Sequence, residues 1–213
     1  MRFTILAAEW NAKLVALAKV MNSKVALPIY STFLLELKDG VLRITASDMD
    51  CSRCSTLPVM DMDRANEHNG SLCVTASFLL DSLKNLGDQP VTFEADEENL
   101  SVVIRYNNGQ FDMVGFPAKD YALPGTMGKS VQVTIEASVL NDSIGKSLYA
   151  VGNDDLRPIF SGIYFTKKGD ELQCATTNGS MLVRNTYKVE NDGQEYSFLL
   201  HSRAAKIVRS MTS

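Results

Sequence analysis

The chain has 213 residues, 45% of them apolar and 22% charged, and a formal net charge of −4. That length suits one large or two smaller domains with a real core, and no apolar run approaches the length of a membrane span. The net charge taken alone does not point to a nucleic-acid partner, and the opening MRFTILAAEW is too short an apolar run for a secretory signal, so the chain is expected to be cytoplasmic.

Phe3 to Leu6 reads as a strand. Glu9 to Met21 reads as a helix, because Trp10, Leu14, Leu17 and Met21 recur on one face. After a connection from Asn22 to Tyr30, strands are predicted over Thr32 to Leu37 and Val41 to Ala46, joined at Asp39-Gly40, with a further strand over roughly Asp48 to Val59. Met60 to Gly70 is polar and loop-like. The plan then restarts. Leu72 to Thr75 is a strand, Ser77 an N-cap, and Leu79, Leu80, Leu83 and Leu86 a helix face closed by Gly87. Three strands follow, over Val91 to Ala95, Leu100 to Tyr106 and Gln110 to Val114.

Pro117 to Ser130 carries two prolines and two glycines and reads as a linker. A third unit begins beyond it. Val131 to Ile135 is a predicted strand, Ser138 an N-cap, and Leu140, Ile144, Leu148 and Val151 a helix face. Strands are then expected over Gly162 to Thr166, Leu172 to Thr176 and Leu182 to Val189, the last pair joined through Asn178-Gly179, where both residues tolerate positive φ. A fourth unit opens with a strand over Tyr196 to Leu200, an N-cap at Ser202 and a helix bearing Ala204, Ile207, Val208 and Met211.

The unit starts FTILAAEW, LCVTASFL, VTIEASVL and FLLHSRAA recur at an interval of about 65 residues, the trace of a duplicated supersecondary unit. The fold class expected is α+β, with repeated strand–helix–three-strand units, two to a domain, and helices on one side of antiparallel sheets. Domain one is placed at residues 1–125, containing units 1–70 and 71–116 plus the linker. Domain two is placed at residues 126–213, where the fourth unit stops at its helix. That imbalance predicts either a fragment or a unit completed by another chain.

Chemistry is sparse. Cys51-Ser-Arg-Cys54 lacks the two further ligands of a zinc site and lies on a predicted strand, where residues three apart face opposite sides. Gly145-Lys146-Ser147 lacks the leading glycine of a phosphate loop and falls in a helix. His68 and His201 have no nucleophile or ligand near them in sequence. No catalytic residues, metal site or cofactor are expected. On the predicted helices, Lys13, Lys19, Lys84, Lys146, Arg203, Lys206 and Arg209 outnumber Glu9, Asp81 and Asp142, although the chain as a whole is acidic. Two readings stay open: ordinary solvated helix faces, or a basic helix-lined surface suited to a polyanion.

Several stretches carry a resemblance over the whole chain. They are Met1-Arg2-Phe3-Thr4, Ala26-Leu27-Pro28-Ile29, and the run from Gly109 to Tyr121. The most specific are Asp155-Leu-Arg-Pro-Ile-Phe-Ser-Gly and Ala175-Thr-Thr-Asn-Gly-Ser-Met-Leu. These resemble the bacterial DNA polymerase III beta subunit, the sliding clamp family, and specifically an N-terminal portion lacking the third domain. The resemblance implies a non-enzymatic processivity factor. Two full-length chains would close as a homodimeric ring around double-stranded DNA, holding it by backbone contacts and tethering the DNA polymerase. Clamp loader and repair proteins would dock through short peptides, and no membrane is involved.

Position by position, Lys24 and Arg203 match DNA-touching basic residues, and Lys206 joins them as a candidate on the same helix. Phe160, Thr177, Gly179, Met181 and Leu182 match a partner-peptide pocket. Phe111 and Met113 match the ring interface. Met181 and Ser180 depart from commonly basic and histidine positions, so the peptide preference is expected to differ. With the third domain absent, the chain is expected neither to close the ring nor to bind peptides with full affinity. The alternative is a stand-alone peptide-binding module without ring function.

Overall fold

The computed structural model describes residues 1–21, 27–60, 69–123, 132–153 and 156–212. The chain forms two compact units, Met1–Thr126 and Met127–Ser213.

Unit one begins with strand β1 (Arg2–Leu6), which runs straight into helix α1 (Ala7–Ala18). No side chain caps this helix. Its first N–H instead bonds to the carbonyl of Gln89, 2.9 Å away, so a distant loop satisfies an orphan donor. The helix starts two residues before the predicted Glu9 because the strand feeds it directly. Strands β2 (Thr32–Lys38), β3 (Val41–Ser47), β4 (Ser52–Pro58) and β5 (Gly70–Thr75) follow, then α2 (Ala76–Leu83), β6 (Pro90–Ala95), β7 (Ser101–Tyr106), β8 (Gly109–Val114) and the short β9 (Phe116–Pro117).

Two sheets result, with orders β1-β6-β7-β8 and β4-β3-β2-β5-β9. Each mixes the two repeats: β1 of the first pairs with β6 of the second, and β5 of the second pairs with β2 of the first. Both sheets and both helices share one core. Within it Phe3, Trp10 and Phe93 are fully buried, with ring centroids 4.9 to 5.8 Å apart, so β1, α1 and β6 are locked by aromatic packing.

Unit two contains α3 (Ala137–Ser147), β10 (Gly162–Lys168), β11 (Glu171–Thr177), β12 (Leu182–Lys188), β13 (Tyr196–His201) and α4 (Ser202–Thr212). Its sheet has the order β12-β11-β10-β13. Ile144, Ile163, Phe165, Leu172, Cys174 and Ala205 make its core. The strand expected over Val131 to Ile135 does not form, since residues 132–136 are not assigned to any strand. In unit one the equivalent β1 exists because β6 bonds to it from Arg2↔Glu94 to Leu6↔Pro90. Among the described residues of unit two no strand occupies that place, and an isolated strand has no partner for its backbone groups.

Three predicted caps also change. Ser77 and Ser138 lie inside the first turns of α2 and α3, whose N-cap positions are Thr75 and Glu136 with no side-chain cap bond. Ser202 is the first residue of α4, and the ring of His201 performs the capping: its Nδ1 accepts from the Arg203 N–H at 3.3 Å. The expected strand from Asp48 loses its first residues to a tight turn, because the Asp48 carboxylate accepts from the N–H groups of Asp50 and Cys51. The predicted linker is partly structural: β9 pairs with β5, and Tyr121 is buried.

Candidate nucleic-acid and partner interfaces

Within each unit the two helices pack beside one another, α1 with α2 and α3 with α4. Their polar faces carry the basic residues counted in the sequence. Two of these are neutralised locally: Lys84 bonds to Asp81 at 2.7 Å and Lys146 to Asp142 at 2.6 Å. Such helix-face pairs contribute little stability but consume local positive charge. Lys146, followed by the Tyr187 hydroxyl, holds the Asp142 carboxyl below the usual carboxylate range.

Lys13 and Lys19 on or beside α1, and Lys206 on α4, are exposed and form no ion pair with the described residues. Arg203 and Lys206 lie three residues apart at the start of α4, so the structure places these two DNA candidates together. Arg209 continues the series. Its guanidinium lies across α3 at Gly145, where a Cβ would sit 3.1 Å from Nη2. The glycine of Gly145-Lys146-Ser147 is therefore a packing residue. Lys24 lies outside the described residues.

Phe111 and Met113 sit on β8, the edge strand of the β1-β6-β7-β8 sheet. Both are half-buried against the core. Phe111 stacks on Tyr106 at 5.0 Å and meets Phe78 edge-on at 6.4 Å. With Thr75, Ser77, Phe78, Asp81 and Ser82 they line an open cleft of about 600 Å³. An edge strand beside an apolar cleft has the form of a sheet-extension interface.

The peptide-pocket candidates come from a 3-10 turn at Pro158–Ser161 and the β11–β12 loop. In the loop, Thr177 Oγ1 donates to the Met181 carbonyl at 2.6 Å and accepts from Gly179 N–H at 3.1 Å. Asn178 Oδ1 accepts from the N–H groups of Ser180 and Met181. Gly179 takes φ +91°, which a side chain would strain. The two segments meet at Gly152. Its N–H donates to the Phe160 carbonyl at 2.8 Å, and a Cβ there would lie 3.1 Å from Phe160 Cβ and 3.4 Å from Asn178 Cα. Phe160, Thr177 and Gly179 thus share one surface, beside the exposed Met181 and Leu182, the latter 71% accessible.

Sequence reading missed Gly152 and the Arg157 guanidinium, 4.9 Å over the Phe160 ring, as well as the exposed Leu156 and Ile159. The Pro28-Ile-Tyr-Ser31 and Pro158-Ile-Phe-Ser161 match was the available signal. The four cysteines are free, with Cys51 in the β3–β4 turn and Cys54 exposed on β4. Among the described residues no group of His, Cys, Asp and Glu could hold a metal ion, and no helix is long and apolar enough to cross a membrane.

A family model described as DNA polymerase III beta subunit, N-terminal domain, matches residues 1–124. The beta sliding clamp of Staphylococcus epidermidis is 22% identical over 216 residues, covering 100% of this chain and 57% of the relative. That of Bacillus subtilis is 25% identical over 193 residues, covering 89% and 51%. A crystal structure of the DNA polymerase sliding clamp from Pseudomonas aeruginosa with ligand matches with a TM-score of 0.90 at 21% identity, over 100% of this chain and 57% of that one. The chain spans about half the length of the curated relatives it matches. Since the family model covers more than half of the sequence, the chain belongs to the DNA polymerase III beta subunit family.

Proposed function

We propose that this chain is part of a non-catalytic processivity clamp that encircles duplex DNA and tethers the replicative polymerase. Residues 1–125 are read as clamp domain one and 126–213 as clamp domain two. The observation that carries the reading is the match to beta sliding clamps along the whole chain. Paired helices bearing Lys13, Lys19, Arg203, Lys206 and Arg209 support backbone-directed DNA contact, which permits sliding. Phe111 and Met113 on the β8 edge are assigned to ring closure in a homodimer. Phe160, Thr177, Gly179, Met181 and Leu182 are assigned to the short peptides of polymerase, clamp loader and repair proteins.

The test is fluorescence anisotropy of a labelled 30-base-pair duplex across a salt series. Expected are sequence-independent binding at low salt and a linear fall of log affinity with log salt. An Arg203→Glu/Lys206→Glu double variant should weaken binding about tenfold or more and flatten the salt slope. Absence of duplex binding at low salt, or binding indifferent to salt and to these substitutions, overturns the DNA reading. The exposed Ile159, Met181 and Leu182 favour the second reading, a peptide-binding module without ring function. That outcome is marked by peptide binding sensitive to Leu182→Asp in a chain that ignores DNA.

A further inference from the structure

Three Asn-Gly pairs lie in this chain, at Asn69-Gly70, Asn108-Gly109 and Asn178-Gly179. Each holds the elements of a spontaneous reaction. When the glycine backbone nitrogen gives up its proton it can bond to the asparagine Cγ, because no glycine side chain hinders the approach. The bond from Cγ to the side-chain nitrogen breaks, and that nitrogen leaves with the proton as ammonia. Water then opens the succinimide ring. Opening at Cγ leaves an aspartate. Opening at the main-chain carbonyl leaves an isoaspartate, whose backbone carries one extra carbon. The reacting pair is the same at all three places, so the fold decides which one converts.

Two of the pairs are restrained. Asn178 Oδ1 accepts from the N–H groups of Ser180 and Met181 at 3.0 and 2.9 Å, and the Gly179 N–H donates to Thr177 Oγ1 at 3.1 Å. Reaction there requires the side chain to leave both donors and the glycine nitrogen to give up a proton it is sharing. Asn69 Oδ1 accepts from the Asp39 N–H at 3.3 Å. The Glu97 carboxylate lies against Gly70 and accepts from the Ser71 N–H at 3.3 Å. A negative charge at that place opposes loss of a proton from the Gly70 nitrogen. Asn108 has neither restraint. It is the second residue of the two-residue turn between β7 and β8, it is exposed, and its side chain makes no hydrogen bond among the described residues. An exposed turn tip opens locally at small cost. Gly109 does not take a positive φ, and space is what requires a glycine there: a Cβ would sit 2.8 Å from the Tyr106 hydroxyl, whose ring is stacked on Phe111 at 5.0 Å. The residue that makes the pair labile is one the hairpin needs.

We propose that Asn108 is a deamidation site, the fastest of the three, and that its isoaspartate product loosens the β8 edge strand. The extra backbone carbon falls inside the turn that sets Gly109 opposite Tyr106 and Phe111 opposite Ile104. A two-residue turn fixes the register of its hairpin, so lengthening its backbone disturbs the pairing that follows. The aspartate product keeps the backbone and adds only a charge. The chain thereby carries a slow chemical clock at one sheet edge, and the clock runs whether or not the chain encircles DNA.

The experiment ages the full 213-residue chain in warm, mildly alkaline buffer, digests it and follows each Asn-Gly peptide by mass spectrometry. Enzymatic methylation of the free α-carboxyl separates isoaspartate from aspartate. In the folded chain Asn108 is expected to convert severalfold faster than Asn69 or Asn178. In urea the three rates should converge, because the restraints at the other two pairs are gone. Amide hydrogen exchange of the aged chain should accelerate along β8, whereas an unaged Asn108→Asp variant should exchange like the parent. Conversion of Asn69 or Asn178 as fast as Asn108 in the folded chain overturns the site. A rate order that urea leaves unchanged overturns the role of the fold. Intact protection of β8 in an isoaspartate-rich sample overturns the loosening.

Discussion

Unit one and unit two are built on the same strand frame yet solve burial differently. Unit one closes two sheets over α1 and α2, and its aromatic trio Phe3, Trp10 and Phe93 ties strands ninety residues apart in sequence. Among the described residues unit two has one sheet over α3 and α4, and most of the apolar residues around its small core, such as Ile135, Leu148, Tyr196 and Phe198, are only partly buried. One position shows the contrast sharply. Leu37 on β2 is buried among apolar neighbours, whereas its counterpart on β10 is Lys167, equally buried, with its ammonium on Asp192 and 6.0 Å from the Tyr196 ring. An amine is tolerated there because Asp192 and the cleft lined by Thr134, Glu136 and Lys188 keep its head near water.

Five substitutions break or sharpen that contrast. The largest effect is expected for Trp10→Ala, which removes the centre of the unit-one core and costs about 3–5 kcal/mol. Leu37→Lys, forcing unit two's solution onto unit one, should cost a similar ~3–5 kcal/mol, because Leu37 is buried within an apolar core cluster. Chemical denaturation followed by Trp10 fluorescence for Leu37→Lys, and by circular dichroism for Trp10→Ala, measures both. A loss below about 1 kcal/mol for Leu37→Lys would show that the unit-one core is as open as that of unit two.

Next, Tyr121→Ala should uncover the unit-one cluster of Tyr30, Leu34 and Cys73, at a cost of about 3 kcal/mol. Burial pushes the Cys73 thiol up to about 12, so it is un-ionised and inert at neutral pH. With Tyr121 removed, its labelling by a thiol reagent at pH 8 should accelerate manyfold relative to the parent, in which Cys54 reacts and Cys73 does not. Unchanged labelling would mean that β9 and the following turn cover Cys73 without Tyr121.

Lys167→Met should be nearly neutral, within about 1 kcal/mol, since Asp192 is itself partly exposed and returns to water. It also alters the pH response. Lys167 holds the Asp192 carboxyl below the usual range, so the pair's contribution is present above the ordinary carboxylate pKa and is lost as pH falls through the depressed value. Stability of the Lys167→Met variant should therefore fall less on acidification than that of the parent. Asp142→Asn, which removes a depressed carboxyl from the exposed face of α3, should flatten the same acid limb by a smaller amount. Identical acid limbs for parent and variants would remove both carboxylates from the pH response.

Much of the fold was legible because it is written in local chemistry. Period-3.6 apolar faces marked the four α-helices, alternation marked most strands, and recurring unit starts exposed the repeat. Turns were legible where φ demands a residue type, as at Gly40 and Gly179. The candidate site was legible residue by residue but not as a surface. Phe160 and the 177–182 loop are joined through Gly152, and nothing local in that glycine signals the two neighbours it touches.

What the sequence determined by itself was most of the elements, the duplication, and the basic bias of the helices, since propensity, periodicity and charge are properties of neighbours along the chain. The tertiary structure decided which repeat lends a strand to which sheet, and that the Val131 to Ile135 pattern makes no strand. It also decided that a carbonyl from Gln89 satisfies the start of α1 and that the ring of His201, rather than Ser202, caps α4. It alone showed that Tyr121 packs over Tyr30, Leu34 and Cys73 in unit one. These outcomes depend on partners distant in sequence. A strand, a cap or a covered groove exists only when a second group arrives to satisfy it.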